Sequence, residues 1–339
     1  MDVGQSAVGG TSSIASRPLS LRADLQHGVP REREGPPMLF AGRSVRAKVL
    51  LTLALSAGSG SPAIAVVPPR AIESVRAGMV YEISRDVETA EEGSNGSSSS
   101  STDHDTLLER VISVRGDGLE LEYDLPKKAA AEDRASNWQL PLRVFKPFNG
   151  SLQLLNRPEL EARIQRWLKD GGLTHAACGH WVFTWTAVKI ECEPQSALAT
   201  VEAYDLSPSD LRDGASYNDP HASGSTTLRN TVVETGGFSF AGLMSVDPER
   251  VRRDQAESDV VIAEISRKAL TLDDALRARS SEKVSGTISI SFEADPSGFV
   301  RQRTKITKLE ITEPKGEMKH RMVTEVLKRQ IVSGDETSR

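Results

Sequence analysis

Gly286–Glu293, GTISISFE, decides the fold. Ile288, Ile290 and Phe292 alternate with Ser289 and Ser291, the period of two that sends apolar side chains to one face of a strand and polar ones to the other. A strand of this kind belongs to an antiparallel sheet with one covered and one solvated face. Downstream, Asp295-Pro296-Ser297-Gly298 reads as a turn. Phe299–Ile311 and Met318–Ile331 then read as long charged strands, joined around Glu313-Pro314-Lys315-Gly316. Arg301, Arg303, Lys305 and Arg321 are read as lying on a face open to solvent.

The same signal recurs upstream. Leu119–Leu125, LELEYDL, alternates cleanly, and residues 79–92 and 106–114 carry the strand pattern. Gly93–Asp105 is a Gly/Ser tract and reads as a long loop between them. Trp138–Phe148 reads as an extended edge segment, because Pro141 and Pro147 cannot donate ladder hydrogen bonds.

The middle of the chain is helical. Leu160, Ile164, Trp167 and Leu168 share one face of a helix over 158–170, with Pro158 in its first turn and Gly171-Gly172 at its end. A second helix is expected from Pro194, with Leu198 and Val201 inward. Phe238–Val246 reads as a strand. A further helix starts at Asp247-Pro248 and runs to about Ile265, and a short one opens at Thr271. The order is strands, helices, strands, which indicates an α+β fold. The expected architecture is a curved antiparallel β-sheet built from N- and C-terminal meanders, with the central helices packed on one face. Residues 66–334 form one domain in this reading, with a sub-boundary possible only in the 207–230 loop.

Residues 38–65 read as a secretory signal peptide: Arg43, Arg46 and Lys48, then the apolar run Val49–Ala57, then Ala63-Ile64-Ala65 before a cleavage point near Ala65. The apolar run is shorter than the roughly 20 residues a membrane span requires, so no stable span is expected. Residues 1–37 read as a disordered extension or a start assigned too far upstream. The expected location is therefore exported and periplasmic.

The chain carries a net charge of −5, and the acidic excess grows beyond residue 65. No basic stripe is evident in the linear sequence, which argues against nucleic acid as a partner. Nucleotide-binding glycine loops, nucleophile elbows and His-Glu-x-x-His motifs are missing beyond residue 65, so no catalytic residue and no cofactor is assigned.

One cluster is suggestive: His175, Cys178, His180, Glu191, Cys192 and Glu193 around an apolar run. Cys178 and Cys192 are the only cysteines. In an exported chain they are expected to form a disulfide. A zinc site built from His175, Cys178, His180 and Cys192, or a reactive cysteine, are the alternatives, and neither has a standard spacing. The bridge imposes a geometric demand. Bonded cysteines lie within about 7 Å at Cα, whereas the thirteen intervening residues would reach about 43 Å as one strand. The segment must double back, with a bend near Thr184–Ala187.

Trp181, Phe183 and Trp185 read either as core or as the lining of an apolar ligand pocket. The function expected from these observations is an exported, non-catalytic protein that binds an apolar small molecule or an envelope partner. An exported hydrolase with dispersed acid and base residues, and a structural envelope protein without a ligand, are the alternatives.

Overall fold

Ten strands form one sheet in the order β10-β11-β12-β13-β14-β1-β2-β3-β4-β5, every neighbour antiparallel. The computed structural model describes residues 75–148, 150–183, 187–206, 210–232 and 237–332. The leader read over residues 38–65, and the segment before it, lie outside these. The strands are β1 (Val80–Gly93), β2 (Ser98–Val114), β3 (Gly118–Asp124), β4 (Leu142–Pro147), β5 (Gln153–Leu154), β10 (Arg229–Val232), β11 (Phe238–Ser245), β12 (Lys283–Ala294), β13 (Val300–Thr312) and β14 (Met318–Ile331). Between them in the chain lie the small hairpins β6 (Trp181–Phe183) with β7 (Ala187–Lys189), and β8 (Ser216–Tyr217) with β9 (Thr226–Thr227). The helices are α1 (Ala131–Ser136), α2 (Arg157–Asp170), α3 (Ala197–Glu202), α4 (Pro248–Ile265) and α5 (Leu272–Arg279). The fold is thus α+β, two meanders whose outermost members, β1 and β14, pair with each other in mid-sheet.

The local chemistry explains the boundaries. Asp295 makes the β12–β13 turn: its Oδ1 accepts from the Ser297 and Phe299 backbone N–H groups at 3.0 and 3.1 Å. Asp247 caps α4 by accepting from the N–H groups of Glu249 and Arg250, and Thr271 caps α5 by accepting from that of Asp274. At α2, Asn156 is buried and does not cap the helix. Its Oδ1 accepts from the Arg143 N–H at 3.0 Å, and its amide donates to the Pro141 carbonyl at 3.1 Å, tying the helix entry to β4. Gly172, at φ 66°, ends α2 in the left-handed region.

One face of the sheet is covered. Tyr81, Ile83, Leu121, Leu142, Phe240, Ile288, Ile290 and Phe292 point into a core shared with Leu160, Ile164 and Leu168 of α2 and Leu198 and Val201 of α3. Burying a side chain of this size contributes about 1.5–3 kcal/mol, so this face supplies much of the drive to fold. On the opposite face the alternate residues, such as Ser285, Thr287 and Ser289 of β12, are exposed.

Two expectations change. The Ser tract is not a loop: Ser98–Asp105 is the first half of β2, paired residue for residue with β1 from Ser98 opposite Glu92 to Asp105 opposite Arg85. The turn is only residues 94–97, with Gly96 at φ 84°. Low apolar content hid the strand because both faces of the sheet are accessible there, and backbone pairing rather than burial holds it. The Trp138–Phe148 segment is also not the edge. Its strand, β4, pairs on both sides, and the two-residue β5 is outermost. Pro141 precedes β4 and Pro147 ends it, so neither interrupts the ladder.

Candidate functional site

Cys178 and Cys192 are bonded, with Cα atoms 5.6 Å apart. The segment between them doubles back as required: Trp181 lies opposite Lys189, and Phe183 opposite Ala187, in the β6–β7 hairpin. Gly179 donates to the Ile190 carbonyl at 2.8 Å and Ile190 to that of His180 at 2.9 Å, extending the pairing to the cysteines. A bridge closing a loop of this size contributes about 3 kcal/mol. Because both sulfurs are consumed, they cannot serve as zinc thiolates. The two histidines diverge as well. His175 Nε2 lies 2.8 Å from the Gln165 amide nitrogen, while His180 Nδ1 is 3.3 Å from Glu264 Oε1 on α4. Trp181 is half-buried and its backbone N–H donates to the same carboxylate at 3.3 Å. Trp185 and the side chain of Phe183 lie outside the described residues.

The larger cluster is a belt of charge on the covered face of the sheet. Glu325 of β14 accepts from Arg85 Nε of β1 at 2.6 Å and from Arg303 of β13 at 3.3 Å. Arg303 also donates to the Asp205 carbonyl at 2.6 Å, and the Asp205 carboxylate meets Lys146 of β4 at 2.6 Å. Two residues along β13, Lys305 lies 2.5 Å from Asp219. Asp219 faces His221 Nδ1 at 3.5 Å, and His221 Nε2 faces Asp254 of α4 at 3.3 Å. Arg250 completes the chain, 3.1 Å from Asp254. A second knot joins β2, β3 and β14. There Arg329 bonds Glu109, Tyr123 donates to Glu109 at 2.8 Å, and the guanidinium lies 4.2 Å from the Tyr81 ring centre and 4.5 Å from that of Phe299.

The electrostatics follow from burial and pairing. Burial pushes the Arg329 guanidinium down to about 10, which leaves it charged at neutral pH. Burial drives the Tyr123 phenol upward, so it remains a donor to Glu109. For Asp219 burial acts upward, but the hydrogen bonds from His221 and Lys305 and the charge of Lys305 outweigh it and hold the carboxyl far below the usual range. Each carboxylate of the belt faces at least one cation.

This arrangement is suited to holding rather than to proton transfer. A general base needs a free proton-accepting atom within reach of a substrate. Both ring nitrogens of His221 face carboxylates, and Asp219 is committed to Lys305. The belt instead clamps the segment around Asp205 and Asp219, and through Asp254 the helix α4, onto the central strands.

The sequence reading placed Arg303 and Lys305 on a solvated face, whereas they are four-fifths covered. His221 lies in the segment read as the 207–230 loop, and its side chain is 43% exposed. A signal was present for the two cations. Arg301, Arg303 and Lys305 share the parity of Leu309 and Ile311 along β13, so the charged face and the apolar face are the same face. For His221 no local signal exists, because its partners come from α4 and from Asp219, which is itself set by β13.

No protein-family model matches the chain, and no curated protein is detectably similar to it. Among solved structures, lipovitellin, in a study of its lipid–protein interactions, is similar over 78% of this chain at 9% identity and a TM-score of 0.32; the match spans 26% of the lipovitellin chain. An uncharacterised protein from Rhizobium leguminosarum is similar over 39% of this chain and 63% of its own, at 8% identity and TM-score 0.16. An outer membrane channel from Pseudomonas putida F1 is similar over 78% of this chain and all of its own, at 6% identity and TM-score 0.19. At these scores the similarities carry no functional argument.

Proposed function

We propose that this is an exported, periplasmic protein without catalytic activity that engages an envelope protein through the open face of its sheet. The observation that carries the reading is the mutual pairing of the charged belt's side chains. The most enzyme-like groups of the described residues, Asp219, His221, Asp254 and Lys305, are spent on one another. The apolar core between sheet and helices is filled by side chains buried to within a few per cent. Among the described residues no helix covers the opposite face, and Met318, Met322 and Leu243 stand exposed on it. Export agrees with the Cys178–Cys192 bridge. No helix among the described residues is long and apolar enough to cross a membrane.

The test is expression with the native leader in a Gram-negative host, followed by intact mass of the periplasmic fraction. The expected product begins near Val66 and carries the bridge. A photo-reactive residue at Thr324, on the open face, is expected to cross-link to an envelope protein, and one at His180 is not. A hydrolytic activity of the purified protein abolished by His221→Ala would overturn the non-catalytic reading in favour of a hydrolase.

A further inference from the structure

The two sulfurs of the Cys178–Cys192 bridge sit in unequal surroundings. Residues 175–177 form a 3₁₀ turn, whose three-residue period eclipses side chains i and i+3. His175 is thereby set beside Cys178, its Nδ1 3.7 Å from the sulfur. Its other nitrogen, Nε2, is 2.8 Å from the Gln165 amide nitrogen on α2. An amide NH₂ only donates, so the Gln165 contact sets Nε2 as an acceptor and leaves Nδ1 as the ring nitrogen placed to donate toward Cys178. Among the described residues no comparable donor faces Cys192. Both cysteines are partly buried at the margin of the core, and Gln165 and His175 beside Cys178 are exposed, which is the side from which a small thiol would approach.

We propose that this bridge is an exchangeable disulfide, reduced by an external dithiol, with Cys192 as the sulfur attacked and Cys178 as the leaving thiolate. A thiolate of the dithiol forms a bond to Cys192 Sγ. The Cys178–Cys192 bond breaks, and its electron pair leaves on Cys178, where the Nδ1–H of His175 stabilises it. The second thiol of the reductant loses its proton and attacks its own sulfur in the mixed disulfide, and Cys192 departs. The two protons of the dithiol end on Cys178 and Cys192, two electrons enter the protein, and the reductant becomes a disulfide. A better-stabilised leaving thiolate accelerates exchange. Reduction removes the covalent tie at the base of the β6–β7 hairpin, which meets α4 at Glu264. This inference stands apart from the envelope-partner reading.

The test uses the folded, oxidised chain and reduced glutathione, a monothiol that leaves the mixed disulfide in place. After acid quenching and alkylation, peptide mass mapping is expected to find glutathione on Cys192 in about tenfold excess over Cys178. His175→Ala is expected to bring the two adducts near parity and to slow reduction by dithiothreitol about tenfold. Gln165→Leu, which leaves both His175 and the cysteines in place, is expected to fall between. Adducts found equally on both cysteines or mainly on Cys178 in the unaltered protein, or an unchanged rate in His175→Ala, would overturn the proposal. The site of the adduct is read without any variant, so a folding defect cannot mask the answer.

Discussion

The two strand pairs at the centre of the sheet are mirror images in charge. β13 and β14 carry eight Lys and Arg against two Glu, whereas β1 and β2 carry eight Asp and Glu against two Arg. They come from opposite ends of the described chain and meet at the β14–β1 seam. Elsewhere in the sheet each strand pairs with its neighbour in sequence, and turns of a few residues set the register at β1–β2, β2–β3, β12–β13 and β13–β14, the pairs that flank the seam. At the seam no turn can do so. Arg85 and Glu325 are 240 residues apart, and Glu109 and Arg329 are 220 apart. A slip of one residue would send every side chain to the wrong face, and a slip of two would separate these ion pairs. Charge complementarity therefore supplies at the seam the register information that turns supply elsewhere. The basic stripe that seemed missing from an acidic chain is present, held against an acidic one.

The seam can be broken most severely at its most buried pair. Glu109→Ala leaves Arg329 charged and enclosed by aromatic rings, and removing one partner of a buried ion pair costs about 3–5 kcal/mol. Urea denaturation should show that loss. Combining Glu109→Leu with Arg329→Met should recover most of it, because a well-packed apolar pair replaces the ionic one without an orphaned charge. If the single substitution cost well under 1 kcal/mol, the assignment of register to charge would fail. The next effect belongs to the outer pair. Glu325→Gln weakens contacts to both Arg85 and Arg303, with an expected loss of about 1.5–3 kcal/mol, the range for hydrogen bonds to charged groups. A double-mutant cycle with Arg85→Gln should give a coupling energy of about 0.5 kcal/mol or more. Independent, additive losses would show that the two residues do not act together.

Asp219 tests the belt through pH. Its carboxyl is held below the unfolded value by His221 and Lys305. The unfolded chain therefore binds a proton first as pH falls. The stabilisation is complete well above about pH 4, the ordinary Asp value, and is lost as pH drops toward the lowered native value. Chemical denaturation from pH 7 to pH 2.5 should show this decline. Asp219→Asn should be less stable at neutral pH and flatter across the acid range. An equally steep acid profile in the variant would place the effect on other carboxylates, such as Asp295. Burial acts upward on that group too, but hydrogen bonds from Ser297, Phe299 and Arg301 hold it low.

What could be read without coordinates follows the same division between local and distant causes. The alternation in Gly286–Glu293 and Leu119–Leu125, the Asp247 and Thr271 caps and the Asp295 turn each depend on residues within a few positions, and each element formed where its pattern lay. The need for the Cys178–Cys192 segment to double back was likewise legible, because it follows from chain reach. The belt was not. Lys146, Asp205, Arg303, Glu325 and Arg85 come from five separate segments, and only the seam brings them together. The Ser tract failed for a different reason. Its strand is specified by the β1 backbone beside it, and periodicity reports burial rather than pairing.

That last point yields the smallest predicted effect. Asp86 and His104 lie opposite each other on β1 and β2, 2.6 Å apart, on the open face of the same strands that carry the seam. Their side chains are 44% and 62% exposed, so solvent screens the pair, and an exposed ion pair contributes at most about 1 kcal/mol. His104→Ala should therefore shift the denaturation midpoint only slightly, in contrast to Glu109→Ala on the covered face of the same strand. Amide exchange at alternate residues across 99–105 should remain slow in both the unaltered chain and the variant, because every second N–H of this half of β2 bonds to β1 whatever the side chain. Fast exchange there would mean that the Ser tract is a loop in solution. A large loss from His104→Ala would mean that the open face contributes to the register as well, and the contrast between the two faces would no longer hold.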